Sequence, residues 1–180
     1  MQHLGVISFI PFWVFVIYIL NRWPKSKDKT ISKHGAANKT TYLLYAFEIS
    51  YNAITFLLLN LLWSFDYHQV GTVFKIVIYC VVILQLIFAW VPDIKGIASI
   101  IHNATAYLWG LLLYLSLVIL LLSASPSLKS KVFLASGLAV MSVTSLVIII
   151  NKAVHKNLLT YQLIYIGMIH VTIIVTSYTG

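Results

Sequence analysis

The chain has 180 residues, of which 61% are hydrophobic and only 9% are charged, and its formal net charge is +8. Since a soluble domain carries about 25% charged residues, this composition excludes a water-soluble globular protein. The basic residues lie between apolar segments, which indicates phospholipid headgroups as their partners, and no nucleic-acid partner is expected.

The apolar segments have the length of membrane-spanning helices, about 20 residues for a hydrocarbon core of about 30 Å. They cover residues 4–20, 41–63, 73–92, 99–122, 132–150 and 158–178. None alternates apolar and polar residues as a β-barrel strand does. The sequence therefore predicts an all-α fold, a single integral membrane domain over residues 1–180 that consists of six transmembrane helices.

The connections between these spans predict an orientation. Nine of the 12 Lys and Arg residues lie in the connections 21–40, 93–98 and 151–157. The positive-inside rule places these connections in the cytoplasm and both termini outside, in the plasma membrane if the organism is prokaryotic. The connection "SASPSLKSK", residues 123–131, predicts a plain turn on the other side.

Glu48 is an acidic residue within the second span, where an ionisable side chain is costly. Tyr45 and Asn52 share its helix face. Glu48 could bind a metal, accept a proton or hold a polar headgroup. A protonated carboxyl that is hydrogen bonded between helices explains it equally.

The segment 92–109 joins several polar residues to the start of the fourth span. Ser99 is predicted as the N-cap of that helix. Asp93 could orient the imidazole of His102, as in a metal site or beside a general base, and Trp109 lies on the His102 face. Alternatively, Asp93 is solvated and His102 lies at the headgroup level.

Four residues could bind a divalent metal, although the sequence does not establish a cofactor. They are His102, Asp93, His155 and His170. His155 could equally be a solvated loop residue, and His170 could be a hydrogen-bonded core residue in the last span.

The polar connection "ISKHGAANKT", residues 31–40, precedes the second span. Ser32 and His34 are predicted to form a lid over a pocket built by the second, fourth and sixth spans, with Gly35 providing the turn. Five further residues are expected to line this pocket: Asn38, Asn52, Tyr45, Trp109 and Tyr165. The alternative is an ordinary polar turn followed by an N-cap at Asn38 or Thr40.

Two short motifs resemble the DUF 998 family of six-helix membrane proteins, which is related to the FRAG/DRAM/Sfk group. The first is "ISKHGAANKTTYLLYAF", residues 31–47, and the second is Pro92-Asp93 followed by His102. The resemblance implies a connection with lipids. Two features depart from the family. His34 replaces an apolar residue, and the motif side is extracytoplasmic in relatives, whereas the lysines here favour the cytoplasm.

The first functional hypothesis is a lipid-interacting protein with a polar pocket at one membrane face. In one version it is a metal-dependent or His/Asp-dependent lipid hydrolase or acyltransferase. The expected catalytic residues of that version are Asp93, His102, Glu48, Ser32 and His34. The alternative is a non-enzymatic small-molecule or ion carrier, or a structural membrane partner. Membrane lipids are the expected partners, and the oligomeric state is not determined.

Overall fold

The computed structural model describes residues 3–22, 29–36, 38–63, 70–123, 126–151 and 156–179, and the regular elements in these ranges are helices. They are α1 (Leu4–Arg22), α2 (Ile31–Gly35), α3 (Lys39–Asn52, continued as a π-helix over Ala53–Leu61), α4 (Thr72–Trp90), α5 (Ile97–Leu122), α6 (Leu128–Ile150) and α7 (Leu158–Thr179). All except the short α2 are long and apolar enough to cross a membrane. These six helices confirm the predicted all-α class and fit a multi-pass integral membrane protein.

Two helix ends differ from the prediction for local reasons. Helix α4 ends at Trp90, before Pro92, because a residue that precedes proline avoids the helical conformation. Val91 is accordingly extended, with φ −101° and ψ 110°. Helix α6 begins at residue 128 rather than 132, because the Ser127 hydroxyl caps it by accepting from the Ser130 amide at 3.2 Å. Part of the predicted turn at 123–131 is therefore helical.

The starts of α3 and α5 settle two predicted caps. Asn38 caps α3, and its side-chain oxygen accepts from the Thr41 amide at 2.9 Å. The prediction of Ser99 as the cap of α5 is wrong. The helix begins at Ile97, and the preceding Gly96 has a φ of 81°, which favours glycine.

The bundle has two halves with different packing. The α2 half contains α2, the C-terminal end of α4 and the N-terminal ends of α5 and α7. The termini half contains the opposite ends, where His3 bonds to Tyr178 at 2.6 Å. There α5 and α6 share one apolar cluster of buried side chains, which includes Leu113, Leu117, Leu120, Leu134, Leu138 and Met141. Helices α6 and α7 approach closely at Gly137, where an added Cβ would collide with Thr172.

Candidate functional site: a cavity in the α2 half

A cavity of about 740 Å³ occupies the α2 half of the bundle. Side chains from all six long helices and from residues 30–32 line it. Along α5 the lining runs from His102 to Tyr114, which corresponds to about 18 Å at a rise of about 1.5 Å per residue. The cavity therefore reaches to about the middle of a hydrocarbon core about 30 Å thick.

Helix α2 closes the cavity at the membrane face. Its first backbone amide, on Ile31, donates to Gln162 Oε1 of α7 at 2.9 Å. The Ser32 hydroxyl donates to Asp93 Oδ2 in the connection between α4 and α5 at 3.4 Å. Although the segment is surrounded by polar sequence, Ile31 and Ser32 are buried. The sequence predicted a polar lid here but not that it would be helical.

The structure gives a steric reason for glycine at position 35. A Cβ at this position would lie 2.8 Å from the Tyr45 ring of α3, so only glycine lets α2 pack this closely. His34 is also buried, and its Nδ1–H donates to the Thr30 carbonyl at 2.8 Å. Residues 30–35 are thus fixed both by their own backbone and by the side chains below them.

Asp93 and His102 lie close in sequence but have different partners. Asp93 is buried, at 7% exposure, and its Oδ1 accepts from the Ser99 hydroxyl at 2.8 Å, so the solvated alternative is wrong. The Nδ1–H of His102 donates to the Val91 carbonyl at 2.7 Å. The backbone, rather than Asp93, therefore orients this imidazole. Since a carbonyl can only accept, Nε2 is the basic nitrogen of the neutral His102 ring, and the residue lines the cavity.

Ser32, Asp93 and His102 form an upper layer near the membrane face, and four buried or half-buried polar residues form a deep layer below it. Trp109 Nε1 donates to Gln85 Oε1 at 2.9 Å. Gln85 Nε2 donates to Asn52 Oδ1 at 3.3 Å, and Asn52 Nδ2 to His170 Nε2 at 3.3 Å. The His170 Nδ1–H then donates to the Ile166 carbonyl at 2.9 Å. One chain of hydrogen bonds thus connects α5, α4, α3 and α7.

The direction of this chain is fixed at both ends. Indole Nε1 can only donate and a backbone carbonyl can only accept, so the orientations of both amides and the His170 tautomer follow. The deep layer lies seven residues below His102 on α5 and eight below Gln162 on α7, about 10–12 Å at about 1.5 Å per residue. The aromatic rings of Phe12 and Phe56 pack against His170, with centroids 4.9 and 4.5 Å away.

The cavity opens sideways, between α5 and α6. The lining residues that remain most exposed are Tyr107 on α5, at 80%, and Ile149 on α6, at 76%. Deeper in the membrane the gap is closed, because the Tyr114 hydroxyl bonds to Ser142 at 2.9 Å. Both rim helices expose apolar side chains to the surroundings. In a bilayer this opening faces the lipid chains of the leaflet on the α2 side.

The structure distributes the remaining predicted residues between several places. Tyr45 and Tyr165 line the cavity, and the Tyr165 hydroxyl donates to the Gly110 carbonyl at 3.2 Å. Asn38 is an exposed helix cap. Glu48 does not belong to the lining, and one of its carboxylate oxygens is buried with no hydrogen-bond partner among the described residues.

The predicted metal ligands do not converge within the described part of the chain, where no three His, Cys, Asp or Glu side chains form a group that could hold an ion. His102 belongs to the upper layer and His170 to the deep layer. Asp93 faces a separate shallow pocket beside Lys33 and Lys95. His155 lies outside the described residues.

Two amides of the cavity are not among the pocket residues that the sequence predicted. Gln85 lies in the middle of the run "VVILQLIFAW", and Gln162 lies near the start of the last span. Each is a polar residue in an apolar helix, which is costly in a membrane and therefore indicates a buried polar contact. What the sequence lacked was the rotation of each helix, which brings these amides to one cavity. Comparisons with protein-family models, with curated proteins and with solved structures found no match.

Proposed function

We propose that this membrane protein binds a lipid in the cavity and admits it sideways between α5 and α6. The observation that carries the proposal is an apolar cavity of about 740 Å³ that opens at the level of the lipid chains. Protein interiors are packed with few voids larger than a water molecule. A cavity of roughly 300–1,000 Å³ with a few convergent polar groups is typical of a ligand site.

The charge distribution supports binding with the ligand's apolar part inside. No Lys, Arg, Asp or Glu side chain belongs to the described lining. Lys33 and Lys95 lie at the membrane face, around the shallow pocket that contains Asp93. A lipid can thus place its chain in the cavity, while any charged group stays at this face, where water and lysines surround it. The resemblance to the DUF 998 family, which implies a connection with lipids, supports the same proposal.

The test is photolabelling of the purified protein in lipid nanodiscs by a single-chain lipid analogue that carries a diazirine near the end of its chain. We expect peptides from α3, α5 and α7 that line the cavity to be labelled. Ala106 lines the cavity, so Ala106→Trp fills it, whereas Ala104, on the same helix, is exposed and outside it.

Ala106→Trp is therefore expected to lose most of the cavity labelling, and Ala104→Trp to keep it. Thermal unfolding of both variants controls for folding. Equal labelling of cavity peptides in two folded variants, or labelling confined to the outer surfaces of the helices, would contradict the proposal.

A lipid hydrolase or acyltransferase is a second candidate, favoured by the placement of two residues. Ser32 and His102 both line the cavity at its α2 end, and Nε2 is the basic nitrogen of the neutral His102 ring. For this candidate, elemental analysis of wild type beside His102→Ala tests the metal-dependent version. Release of fatty acid from phospholipid and ceramide-like substrates tests catalysis itself. A stoichiometric metal that the variant loses would favour a metal-dependent enzyme.

A further inference from the structure

The deep layer has an unequal supply of hydrogen-bond donors and acceptors. Each side-chain N–H of the chain already has an acceptor. Gln85 Nε2 donates to the Ile49 carbonyl at 3.1 Å as well as to Asn52. Asn52 Nδ2 donates to the Ser8 hydroxyl at 3.4 Å as well as to His170. The single N–H groups of Trp109 and His170 are engaged too.

The amide oxygens, by contrast, are only half used. An amide oxygen has two lone pairs. Among the described residues, Gln85 Oε1 accepts only from Trp109, and Asn52 Oδ1 accepts only from Gln85. Both residues line the cavity. The deep layer therefore offers a ligand two acceptor positions and no N–H donor.

The charge of the ligand's polar group follows from the same surroundings. An ammonium group would be a donor, but a charge taken out of water is costly unless it is paired. The described lining contains no Asp or Glu with which to pair it. A phosphate or carboxylate would need donors or cations, which this layer does not supply. The group that fits is neutral and donates a hydrogen bond, and a lipid hydroxyl is the simplest such group.

We propose, on the basis of the proposed lipid-binding function, that the cavity selects an uncharged lipid alcohol whose hydroxyl donates to Gln85 Oε1 or Asn52 Oδ1. The hydroxyl then lies about 10 Å below α2, at about 1.5 Å per helical residue. The chain of the lipid fills the apolar part of the cavity around Phe56, Leu57 and Ile169.

The experiment is a competition against the diazirine probe in nanodiscs. The competitors are a long-chain alcohol and its methyl ether, and a diacylglycerol and its methyl ether. The ethers keep the oxygen and the chain but cannot donate. One net hydrogen bond of about 0.5–1.5 kcal/mol predicts that an alcohol competes about twofold to tenfold better than its ether. The two pairs distinguish a single-chain alcohol from a hydroxyl on a two-chain lipid, and either preference supports the proposal.

Variants separate recognition from a structural effect. Because either oxygen can accept, the double variant Asn52→Leu/Gln85→Leu is expected to abolish the preference for the alcohol. Asn60→Leu, which changes a buried amide on the same helix as Asn52 but outside the lining, keeps it. Trp109→Phe removes the donor to Gln85 Oε1 and leaves both lone pairs of that oxygen free, so it keeps or raises the preference. A merely structural role of the chain predicts a loss here.

The outcomes are distinguishable. Alcohol and ether competing equally at the cavity peptides would overturn the inference and leave lipid binding intact. Loss of the preference in Trp109→Phe, with the variant folded, would also overturn it. Absence of labelling in the cavity with every competitor omitted would contradict lipid binding itself.

Discussion

In the termini half of the bundle α5 and α6 pack directly against each other, whereas in the α2 half a cavity occupies the space between them. The residues that face this space explain the difference. In the termini half they are large, such as Leu117 and Leu134, and fully buried. In the α2 half the cavity lining includes small residues of both helices, among them Ala106, Gly110 and Ser145. The same two helices thus form a closed contact at one end and an opening at the other.

This comparison teaches that apolar composition alone does not decide whether a membrane protein contains a ligand cavity. Between helices in lipid, contact depends on how well side chains fit, since lipid chains are as apolar as leucine. Small residues that meet small residues of the next helix give close packing, as at Gly137. Where they border the cavity instead, as at Gly110, whose Cβ position has only the Tyr165 hydroxyl within 4 Å, they leave room for a ligand.

The largest expected effect is in the closed contact between α6 and α7. Gly137→Ala places a Cβ against Thr172, and overpacking of this kind costs about 1–3 kcal/mol of unfolding free energy. The matched change in the cavity wall, Gly110→Ala, meets only the Tyr165 hydroxyl at 3.8 Å and should cost no stability, since alanine is favoured over glycine within a helix by about 0.5–1 kcal/mol. Unfolding in mixed micelles measures both. Equal losses would mean that the cavity wall is as tightly packed as the closed half.

The next effect concerns the hydrogen-bond chain of the deep layer. Gln85→Leu leaves the Trp109 N–H without its acceptor and removes both donors of Gln85, which costs about 1–2 kcal/mol. Asn103→Leu is the control, because among the described residues the Asn103 amide donates only to Ser99 of its own helix. The same unfolding assay compares the two. If Asn103→Leu proved as destabilising as Gln85→Leu, the chain would not connect the four helices.

The smallest effect is local to α2. Gln162→Leu removes the acceptor of the Ile31 amide, which is worth about 0.5–1.5 kcal/mol. Because only the lid is affected, amide hydrogen exchange in residues 30–34 should accelerate severalfold while global stability changes little. Gln162→Glu keeps an acceptor oxygen at the same position and should preserve the slow exchange. Unchanged exchange in Gln162→Leu would show that this bond does not hold the lid.

The sequence predicted the fold well because each span carries its own signal, a run of apolar residues long enough to cross a bilayer. Helix ends were less accurate where one side chain or one proline decides them, as at Ser127 and Pro92. The cavity could not be located in this way. It depends on which small residues of α5 and α6 face each other, and this is set by helix rotation. Gln85 illustrates the point, since its rarity was visible but its partners Trp109 and Asn52 were not.

Polar residues in spans were useful but incomplete guides to the site. His102 and Asn52 line the cavity, whereas Glu48, on the same helix as Asn52, lies outside it. The two residues are four positions apart, which at about 3.6 residues per turn is a rotation of about 40°. Sharing a helix face, as the sequence predicted for them, therefore does not ensure that two side chains share the same surroundings. The short helix α2 was missed because its five residues, "ISKHG", are stabilised by contacts with Tyr45, Asp93 and Gln162 rather than by helical propensity.

The most direct test of the central claim is native mass spectrometry of the protein released from its own membranes, as wild type and as Ala106→Trp and Ala104→Trp. The account predicts a bound lipid, identified by tandem spectrometry as uncharged and hydroxyl-bearing, on wild type and on Ala104→Trp. It predicts that Ala106→Trp, whose cavity is filled, is released from the membrane without a bound lipid. The same adduct on both variants, or no adduct on wild type at collision energies that preserve known lipid complexes, would contradict it.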